Sequence, residues 1–459
     1  MVIDVLIAEI GSTTTVVNAF QNITGAQSNL SSTKPIFVGQ GQAPTTVLDG
    51  DVRIGLNNAI EDLKNNLNID SLQYNKMFAT SSAAGGLRMT VHGLVYDMTV
   101  KAAKEAALGA GAILKFITAG KLRQSDLNKI KEIKPSLILV AGGVDYGERD
   151  TALYNFEAIC NLELKVPIIY AGNIDNQDDI AFLSNKYNVK TYITENVYPK
   201  VDLLNVEPTR KIIQQAFEDH IIHAPGMTHV RDLVNGPIIP TPGAVMEAAK
   251  LLYSYIGDLI VFDVGGATTD LHSVTDGSED IKLIQTNPEP TAKRTVEGDL
   301  GVFVNLIHIV EKIGKENLLK EFPDAEDLIK NAKPIPVTKR EIEFIERLTL
   351  EAVLTALERH AGGLRNFYTP SGRRTVAEGK DLSNVKYIIG TGGALTRLPN
   401  RVKILSEIIK LNNTEKLYPK NVNNILIDNY YIMASLGVLA KEYPDKALSL
   451  LLESLNFNN

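Results

Sequence analysis

The sequence contains a single cysteine, Cys160, and no tryptophan among its 459 residues. One cysteine can form neither an internal disulfide nor a cysteine-ligated cluster within one chain, which is typical of a reducing compartment. No stretch approaches the ~20 apolar residues that a membrane-spanning helix needs. The first residues also lack the basic and apolar segments of a secretory signal. We therefore expect a cytoplasmic protein that does not enter a membrane.

The chain also has little excess charge of either sign. Its 47 basic and 54 acidic residues give a formal net charge of −7. Because phosphate backbones are bound by a concentrated basic face, this balance argues against nucleic acid as the main partner. Hydrophobic residues make up 44% of the chain, which is ordinary for a globular protein. The length allows about three domains of ~150 residues each.

One stretch of the sequence is repeated. Asp258 to Val274 (DLIVFDVGGATTDLHSV) aligns with Asp4 to Asn18 (DVLIAEIGSTTTVVN) at an offset of 254 residues. The matched pairs are Asp4 and Asp258, Glu9 and Asp263, Gly11 and Gly265, Thr14 and Thr268, and Thr15 and Thr269.

A second pair of segments has nearly the same offset. LILVAGGV from Leu137 aligns with YIIGTGGA from Tyr387, which places Gly142 and Gly143 opposite Gly392 and Gly393. Two strand-and-turn signals that recur in the same order indicate an internal duplication. We expect two similar α/β halves that face each other across a cleft.

Strand and helix patterns alternate along the chain, which predicts parallel strands joined by crossover helices. We predict a first half over residues 1–222, with an added α/β segment at about 160–222. Residues 223–242 are rich in proline and glycine and predict a linker. Residues 243–459 then form the second half, which ends in closing helices.

The segment DVGGATTD has the residue types that an anion site next to a cation needs. A strand brings Asp263 to its carboxyl end, and Gly265 and Gly266 let backbone N–H groups approach an anion closely. Thr268 and Thr269 add hydroxyl donors. Because a carboxylate repels phosphate, Asp263 suggests an intervening Mg²⁺ ion or an oriented water molecule. The structural alternative is a tight β-hairpin whose glycines serve only the turn.

The first copy of this segment favours the functional interpretation. It contains Glu9, Gly11, Ser12, Thr13 and Thr14. Two phosphate loops that face each other form a clamp, which a single turn does not.

A third glycine-rich loop follows the predicted strand at residues 387–389. Gly390, Thr391, Gly392 and Gly393 would let a flat group such as adenine lie on the backbone, although a plain strand-to-helix turn is the alternative. None of these loops contains G-x-G-x-x-G or G-x-x-x-x-G-K-[ST], which argues against a Rossmann or P-loop site.

Other features are left open by the sequence. In RTVEGDLG, Arg294, Glu297 and Asp299 could reach a nucleotide or a metal, or they could form a solvated helix entry. The small residues of SSAAGGLRM, from Ser81, fit a partner loop or close helix packing. Three histidines, His220, His223 and His229, lie near each other in the sequence but do not have the spacing of metal ligands. We interpret them as surface or linker residues.

The paired DxGxT-type loops and the third loop resemble the superfamily of actin, the sugar kinases and the heat-shock chaperone ATPases. This resemblance implies two ribonuclease-H-like α/β domains with ATP and Mg²⁺ between them. The extra α/β material in the first half is predicted from the sequence pattern alone. It makes residues 11–14 the first phosphate loop, residues 263–270 the second and residues 390–393 the adenosine loop. The first loop departs from the superfamily pattern, because Glu9 stands where aspartate is usual.

Six segments carry a narrower resemblance. They are SSAAGGLRMTVHGLVYDMTVKAAKEAALGAGA, LILVAGGVDYGERD, VPIIYAGN, DVGGATTDLHSV, RTVEGDLGV and IIGTGGALT. They are similar to the MutL or GlmL family of ATPase-like proteins, which is associated with adenosylcobalamin-dependent glutamate mutase and is unrelated to the mismatch-repair protein. The family implies an ATP-driven reactivating chaperone that releases damaged cobalamin from the mutase through closure and opening of the cleft.

We expect such an ATPase to act by positioning and electrostatics. Glu9 and Asp263 would hold Mg²⁺ largely through water, and Asp263 or Asp270 would orient the attacking water. Three alternatives stay open: a small-molecule kinase on the same scaffold, a structural protein with a decayed nucleotide site, and an electron-transferring activator. The last would need an iron–sulfur cluster shared between subunits, since Cys160 is alone. An oligomer also stays open.

Overall fold

A computed structural model describes the chain apart from residues 12–13, 25–32, 48–49, 83–86, 222–225, 228, 370–371 and 458–459. The described residues form two compact units. The first unit contains Met1–Ala248 and Ala434–Leu450, and the second contains Ala249–Met433 and Leu451–Asn459.

The strands, in chain order, are β1 (Val2–Ile10), β2 (Thr14–Gln21), β3 (Ile36–Pro44), β4 (Gln73–Ser81), β5 (Arg88–Gly93), β6 (Ile113–Ala119), β7 (Leu137–Val140), β8 (Ile168–Tyr170), β9 (Thr191–Ile193), β10 (Ile238–Pro240), β11 (Leu259–Val264), β12 (Thr269–Val274), β13 (Ala292–Glu297), β14 (Gly363–Thr369), β15 (Gly372–Glu378), β16 (Tyr387–Thr391) and β17 (Asn424–Ile427).

The α-helices are α1 (Val52–Leu67), α2 (Lys101–Gly109), α3 (Gln124–Ile133), α4 (Asp150–Cys160), α5 (Gln177–Tyr187), α6 (Glu207–Ile221), α7 (Val230–Leu233), α8 (Thr241–Ile256), α9 (Glu279–Lys282), α10 (Leu306–Ile313), α11 (Lys315–Glu321), α12 (Ala325–Lys330), α13 (Lys339–His360), α14 (Gly392–Arg397), α15 (Arg401–Ser406), α16 (Met433–Leu439) and α17 (Pro444–Ser454). Shorter turns are the π-helical Tyr96–Val100 and the 3₁₀ segments Ile174–Asn176 and Glu407–Lys410.

The first sheet of the first unit has the strand order β10-β4-β1-β2-β3. β1 pairs antiparallel with β2 and parallel with β4, and β2 continues antiparallel into β3. β1 is an almost continuous apolar run, as a central strand covered on both faces requires. The amphipathic α1 packs on this sheet through Leu56, Ala59 and Leu63, and Asp51 caps its first turn by accepting from the Arg53 N–H at 2.9 Å.

The main sheet of the second unit repeats this arrangement. Its order is β13-β12-β11-β16-β17, with β11 antiparallel to β12 and parallel to β16. The register repeats as well, because Glu9 pairs with Val16 in the first sheet and Asp263 pairs with Asp270 in the second. The matching order, directions and register confirm two ribonuclease-H-like units and the internal duplication.

A third sheet lies in the first unit and accounts for the extra α/β material. Its strands are all parallel in the order β6-β5-β7-β8-β9, which is the doubly wound order 2-1-3-4-5. One face packs against α4 and α5 around Phe156 and Ile180, and the other joins the core of the first sheet through Val91 and Leu139. The sheet begins at β5 (Arg88–Gly93), well before residue 160, at about which the strand and helix pattern predicts the added segment to start.

The second alignment, of LILVAGGV with YIIGTGGA, is wrong as evidence of the duplication. LILVAGGV forms β7 of the third sheet, whereas the strand that occupies the place of β16 in the first sheet is β4. Register shows the same, since Thr80 pairs with Glu9 as Thr391 pairs with Asp263. Gly142 and Gly143 therefore follow the carboxyl end of a strand in a different sheet. Both loops end a buried parallel strand, and sequence similarity at such a turn reflects that shared local geometry.

Residues 223–242, which composition predicted as a linker, contain regular structure. β10 pairs in parallel with β4 and completes the first sheet, and α7 precedes it. In the second unit, α13 begins with a capping box between Thr338 and Glu341 and packs against β11, β12 and β13. Among the described helices, none is long and apolar enough to cross a membrane.

Candidate functional site

The second hairpin turn lies between β11 and β12. It is closed by the Gly265 N–H, which donates to the Thr268 carbonyl at 2.9 Å. The Gly266 carbonyl accepts from the N–H groups of Phe303 at 2.9 Å and Val304 at 2.7 Å. A following stretch of backbone therefore holds the turn from one side.

The segment after β13 gives this support. Thr269 donates its hydroxyl to the Leu300 carbonyl at 2.7 Å, and the Asn305 side chain donates to the Ala267 carbonyl at 2.8 Å. A Cβ on Gly301 would lie 2.3 Å from the Ala267 carbonyl carbon, so only glycine permits this approach. Gly301, the last residue of RTVEGDLG, is therefore needed for close packing against the turn.

Asp270 lies in a buried ion pair. Its Oδ1 is 2.5 Å from Nη2 of Arg294 and accepts from Nε at 2.8 Å, while its Oδ2 accepts from the Thr268 hydroxyl at 3.1 Å. The two residues of the pair are only 4% and 1% exposed. Of the two carboxylates predicted to orient water, Asp263 is therefore the more accessible, because it is half-buried at the end of β11.

The other charged residues of RTVEGDLG contact protein groups as well. Arg359 from α13 donates to Glu297 at 2.6 Å and to Asp299 at 2.7 Å. Hydrogen bonds from the Arg359 guanidinium hold the pKa of the Asp299 carboxyl below its usual value. These contacts tie the supporting segment to α13, and they account for the charge pattern that the sequence left open.

The loop after β16 comes close to Asp263. Gly392 has a φ of +82°, and a Cβ there would lie 2.4 Å from Asp263 Oδ1 and 2.6 Å from the Val264 nitrogen. A Cβ on Gly393 would meet no heavy atom within 4 Å. Gly390 differs from both, since its Cβ would lie 2.9 Å from the Leu405 side chain, so this glycine serves packing under the loop.

Asp428 supports this loop and was missed by the sequence analysis. Its buried carboxylate accepts from the Thr391 hydroxyl at 2.9 Å, from the Ser454 hydroxyl at 2.7 Å and from the Met433 N–H at 2.9 Å. Asp428 directly follows the apolar strand β17 and precedes α16 by a few residues. An acidic residue in that position is a recognisable helix-capping signal, although its bond to Thr391 is not.

The first hairpin turn has the same backbone bond. The Gly11 N–H donates to the Thr14 carbonyl at 3.0 Å, and a Cβ on Gly11 would lie 2.6 Å from that oxygen. Thr14 is exposed. Ser12 and Thr13, which were predicted to contact phosphate, lie outside the described residues.

Glu9 is held by groups that the sequence analysis did not single out. Its Oε1 accepts from the Ser435 hydroxyl at 2.6 Å, from the Ser435 N–H at 3.1 Å and from the Asn18 amide at 3.4 Å. Glu9 is 8% exposed. Because Ser435 lies more than 400 residues along the chain, no local pattern could have paired it with Glu9.

The histidines of the described core do not form a metal centre. Burial lowers the pKa of His92 to about 3, and its ring bonds to the hydroxyls of Thr118 at 2.8 Å and Thr90 at 3.0 Å. His229 pairs with Asp232 on the surface, as a linker or surface residue would. Within the described part of the chain, no group of three or more His, Cys, Asp or Glu residues is placed to hold a metal ion.

Two units built on the same five-strand order, each with a closed hairpin turn that begins at an acidic residue, define the class of actin-like ATPase folds. The chain belongs to the MutL family, whose model is described as "MutL protein" and matches residues 5–455. It is 39% identical over 423 residues to Protein MutL of Clostridium tetanomorphum, a match that covers 88% of this chain and 91% of that protein.

Solved structures also align with the chain at low identity. The ethanolamine utilization protein EutJ from Carboxydothermus hydrogenoformans aligns at 11% identity and a TM-score of 0.29 over 95% of this chain and 88% of its own. A PilM–PilN type IV pilus biogenesis complex aligns at 12% identity and a TM-score of 0.29 over 99% of both chains. Nucleotide-free acetone carboxylase aligns at 10% identity and a TM-score of 0.41, covering 95% of this chain and 70% of that one. Strand order and register, and not these low scores, define the fold.

Proposed function

We propose that the protein binds and hydrolyses ATP with Mg²⁺. The observation that supports this most directly is the matched pair of hairpin turns, each closed by the same glycine N–H bond of about 3 Å and each beginning at a carboxylate in the same register. A structural turn has no need of the acidic residue. Its presence in both copies fits a shared chemical task at two phosphate loops.

The backbones of residues 11–14 and 265–268 would supply the phosphate contacts. The Gly11 and Gly265 N–H groups already close their turns, so the contacts fall to the remaining residues of each turn. Ser12, Thr13 and Thr14 stay predicted contacts on the first turn, and Gly266 and Thr268 on the second. Thr269 was also predicted to contact phosphate, but its side chain is fully buried and its hydroxyl donates to the Leu300 carbonyl. Thr391, Gly392 and Gly393 would border the adenosine, with Gly393 the most open of the three.

The carboxylates fit a divalent cation unequally. Asp263 is half-buried and close to the loop after β16, whereas the Glu9 oxygen Oε1 already accepts two donors from Ser435. We therefore assign the closer metal contact to Asp263 and a water-mediated contact to Glu9. Mg²⁺ bound there would shield the carboxylate from phosphate and stabilise charge on the transferring phosphoryl group. Asp263 would then also orient the attacking water, and Asp270 would hold the turn through Arg294.

We infer that ATP turnover serves the reactivation of an adenosylcobalamin-dependent mutase of the glutamate mutase type. Family membership and the six segments support this role. ATP binding and hydrolysis would switch the protein between two states, and one of them would favour release of damaged cobalamin from the mutase.

The test combines binding, hydrolysis and reactivation. Calorimetry measures the affinity for ATP and ADP with Mg²⁺, and a phosphate-release assay measures turnover. Inactivated mutase is then incubated with the protein and Mg-ATP, and cobalamin exchange and regained mutase activity are followed.

We expect Asp263→Ala to lose hydrolysis by at least about 100-fold while the fold survives. Asp280→Ala, at an exposed carboxylate of α9 in the same unit, is the matched control and should behave as wild type. Full hydrolysis by Asp263→Ala would move the catalytic assignment elsewhere. ATP turnover without any mutase reactivation would leave an ATPase and reject the reactivating role.

A further inference from the structure

The carboxyl edge of the third sheet exposes apolar side chains from four loops. We define the carboxyl-edge surface as residues 94–98, 144–150, 173–179 and 194–203, which follow β5, β7, β8 and β9. Carboxyl ends of parallel strands meet at one edge, so these loops are neighbours. Their exposed large apolar side chains are Val95, Tyr96, Tyr146, Ile174, Val201 and Leu203.

Hydrogen bonds join the three loops after β7, β8 and β9. The Asp145 N–H donates to the Pro199 carbonyl at 3.0 Å, and Asp145 Oδ1 accepts from the Ile174 N–H at 3.1 Å and from the buried Asn196 amide at 2.9 Å. The loop after β5 lies next to Gly142, because a Cβ added to this glycine would be 3.5 Å from the Leu94 Cβ. The apolar groups thus sit on backbone that is already ordered, which lowers the entropy that binding would cost.

Tyr146 is the clearest sign that this order serves binding. It is 77% exposed, and its backbone has a φ of +62°, a left-handed conformation that is uncommon for a residue other than glycine, asparagine or aspartate. Its N–H donates to Asn173 Oδ1 at 3.1 Å, and the Gly147 N–H donates to the Val144 carbonyl at 3.0 Å. The backbone of Tyr146 thus helps to join two loops, but its ring is largely exposed and adds little burial to the fold. Tyrosine is enriched among the residues that dominate protein interfaces.

The four loops of the surface are strongly acidic. The four loops contain nine acidic and two basic residues, a net charge of −7 that equals the net charge of the whole chain. The acidic residues are Asp97, Asp145, Glu148, Asp150, Asp175, Asp178, Asp179, Glu195 and Asp202. A second copy of this chain would place like charges against each other. Charge complementarity favours a different protein whose contact face is basic at its rim.

We propose that the carboxyl-edge surface is the docking site for a folded protein partner that presents an apolar patch surrounded by lysine and arginine. This inference rests on the proposed function in one respect, because the partner is then the mutase that the protein reactivates. The docking surface belongs to the added sheet, so that recognition and nucleotide chemistry use different parts of the chain.

The test measures binding of the full-length protein to the intact mutase by biolayer interferometry. The variant Tyr146→Asn, Ile174→Ser removes two exposed apolar groups of this surface, and asparagine tolerates the left-handed backbone. Ile54→Ser, at an exposed apolar side chain of α1 away from the third sheet, is the matched control. Affinity for Mg-ATP is measured for every variant, since neither change touches the hairpin turns.

We expect the double variant to bind the mutase at least about tenfold more weakly, with Mg-ATP affinity unchanged. Ile54→Ser should bind as wild type does, and raising the salt from about 0.05 to about 0.3 M should weaken the wild-type complex. Equal mutase affinity of the double variant and wild type would overturn the docking surface and leave the proposed function standing. Wild-type protein that does not bind the mutase would overturn both the docking surface and the reactivating role. Sedimentation that shows a wild-type dimer dissociated by the double variant would instead assign the surface to self-association.

Discussion

Replacing Gly392 by alanine tests how the adenosine loop fixes Asp263. The backbone φ of +82° is costly for any residue with a Cβ, and the new atom would lie 2.4 Å from Asp263 Oδ1 and 2.6 Å from the Val264 nitrogen. The left-handed conformation costs alanine about 1 kcal/mol. Displacing a packed carboxylate and the adjoining strand end costs about 1 to 3 kcal/mol more. We therefore expect Gly392→Ala to destabilise the second unit by about 2 to 4 kcal/mol.

Urea unfolding of the full chain, followed by circular dichroism, measures this loss. For a denaturant dependence of about 2 kcal/mol/M, the midpoint of the affected transition should fall by about 1 to 2 M. Gly393→Ala is a control one residue away, because its Cβ would meet no heavy atom within 4 Å. We expect its free energy of unfolding to stay within about 0.5 kcal/mol of wild type.

The same pair of variants separates stability from nucleotide binding. Gly392→Ala moves the Asp263 carboxylate and should weaken Mg-ATP binding as well as the fold. Gly393→Ala should weaken Mg-ATP binding without a change in stability if adenosine lies on this backbone. Unchanged unfolding midpoints for both variants would refute the reasoning, since the contact between Gly392 and Asp263 would then be relaxed without cost.

Further predictions concern the groups around the two turns. Asp270→Asn should destabilise the second unit by about 3 to 5 kcal/mol in urea unfolding, because the Arg294 guanidinium stays buried without its full charge partner; a change below 1 kcal/mol would contradict this. His92 has a folded pKa of about 3. The unfolded chain therefore binds a proton that the native state does not, and stability falls as pH drops below about 6.5, by about 1.4 kcal/mol per pH unit for each such histidine. The slope of unfolding free energy against pH should flatten in His92→Gln, and an unaltered slope would exclude the assignment. Ser435→Ala removes the 2.6 Å bond to Glu9 and should weaken Mg-ATP binding severalfold in calorimetry, with Ser406→Ala, at the half-buried end of α15, as the control.

The features that the sequence predicted correctly are those encoded within one segment. The alternation of strands and helices predicts the fold class. The repeated turns are visible in the sequence because each has a glycine, Gly11 or Gly265, at the residue whose N–H closes the turn. At Gly11 a Cβ would lie too close to the Thr14 carbonyl oxygen. The strand β10 is predicted as part of a linker, because the residues around it are rich in proline and glycine, as loops are. It becomes a strand by pairing with β4, a contact between segments about 160 residues apart.

The misplaced second alignment has a physical origin as well. Buried parallel strands are short apolar runs, and the turns after them need glycine wherever the backbone approaches a neighbour. LILVAGG at β7 and YIIGTGG at β16 meet the same local demands in different sheets. Local patterns therefore identify a strand end, but the strand pairs alone show which sheet it belongs to.

The duplication shows where local inference ends within the candidate site itself. Both copies keep the same register, yet the position of Val16 in β2 is taken by Asp270 in β12, which forms a buried ion pair with Arg294. Glu9 likewise differs from Asp263 by one methylene, and its carboxylate is held by Ser435 from the far end of the sequence. The local sequence therefore determines the backbone geometry that the two halves share. The polar partners that distinguish the halves lie in segments farther along the chain. If the two turns have diverged in this way, exchanging Glu9 for aspartate alone should not convert the first turn into a second one, since the shorter side chain would leave the Ser435 donors without their acceptor.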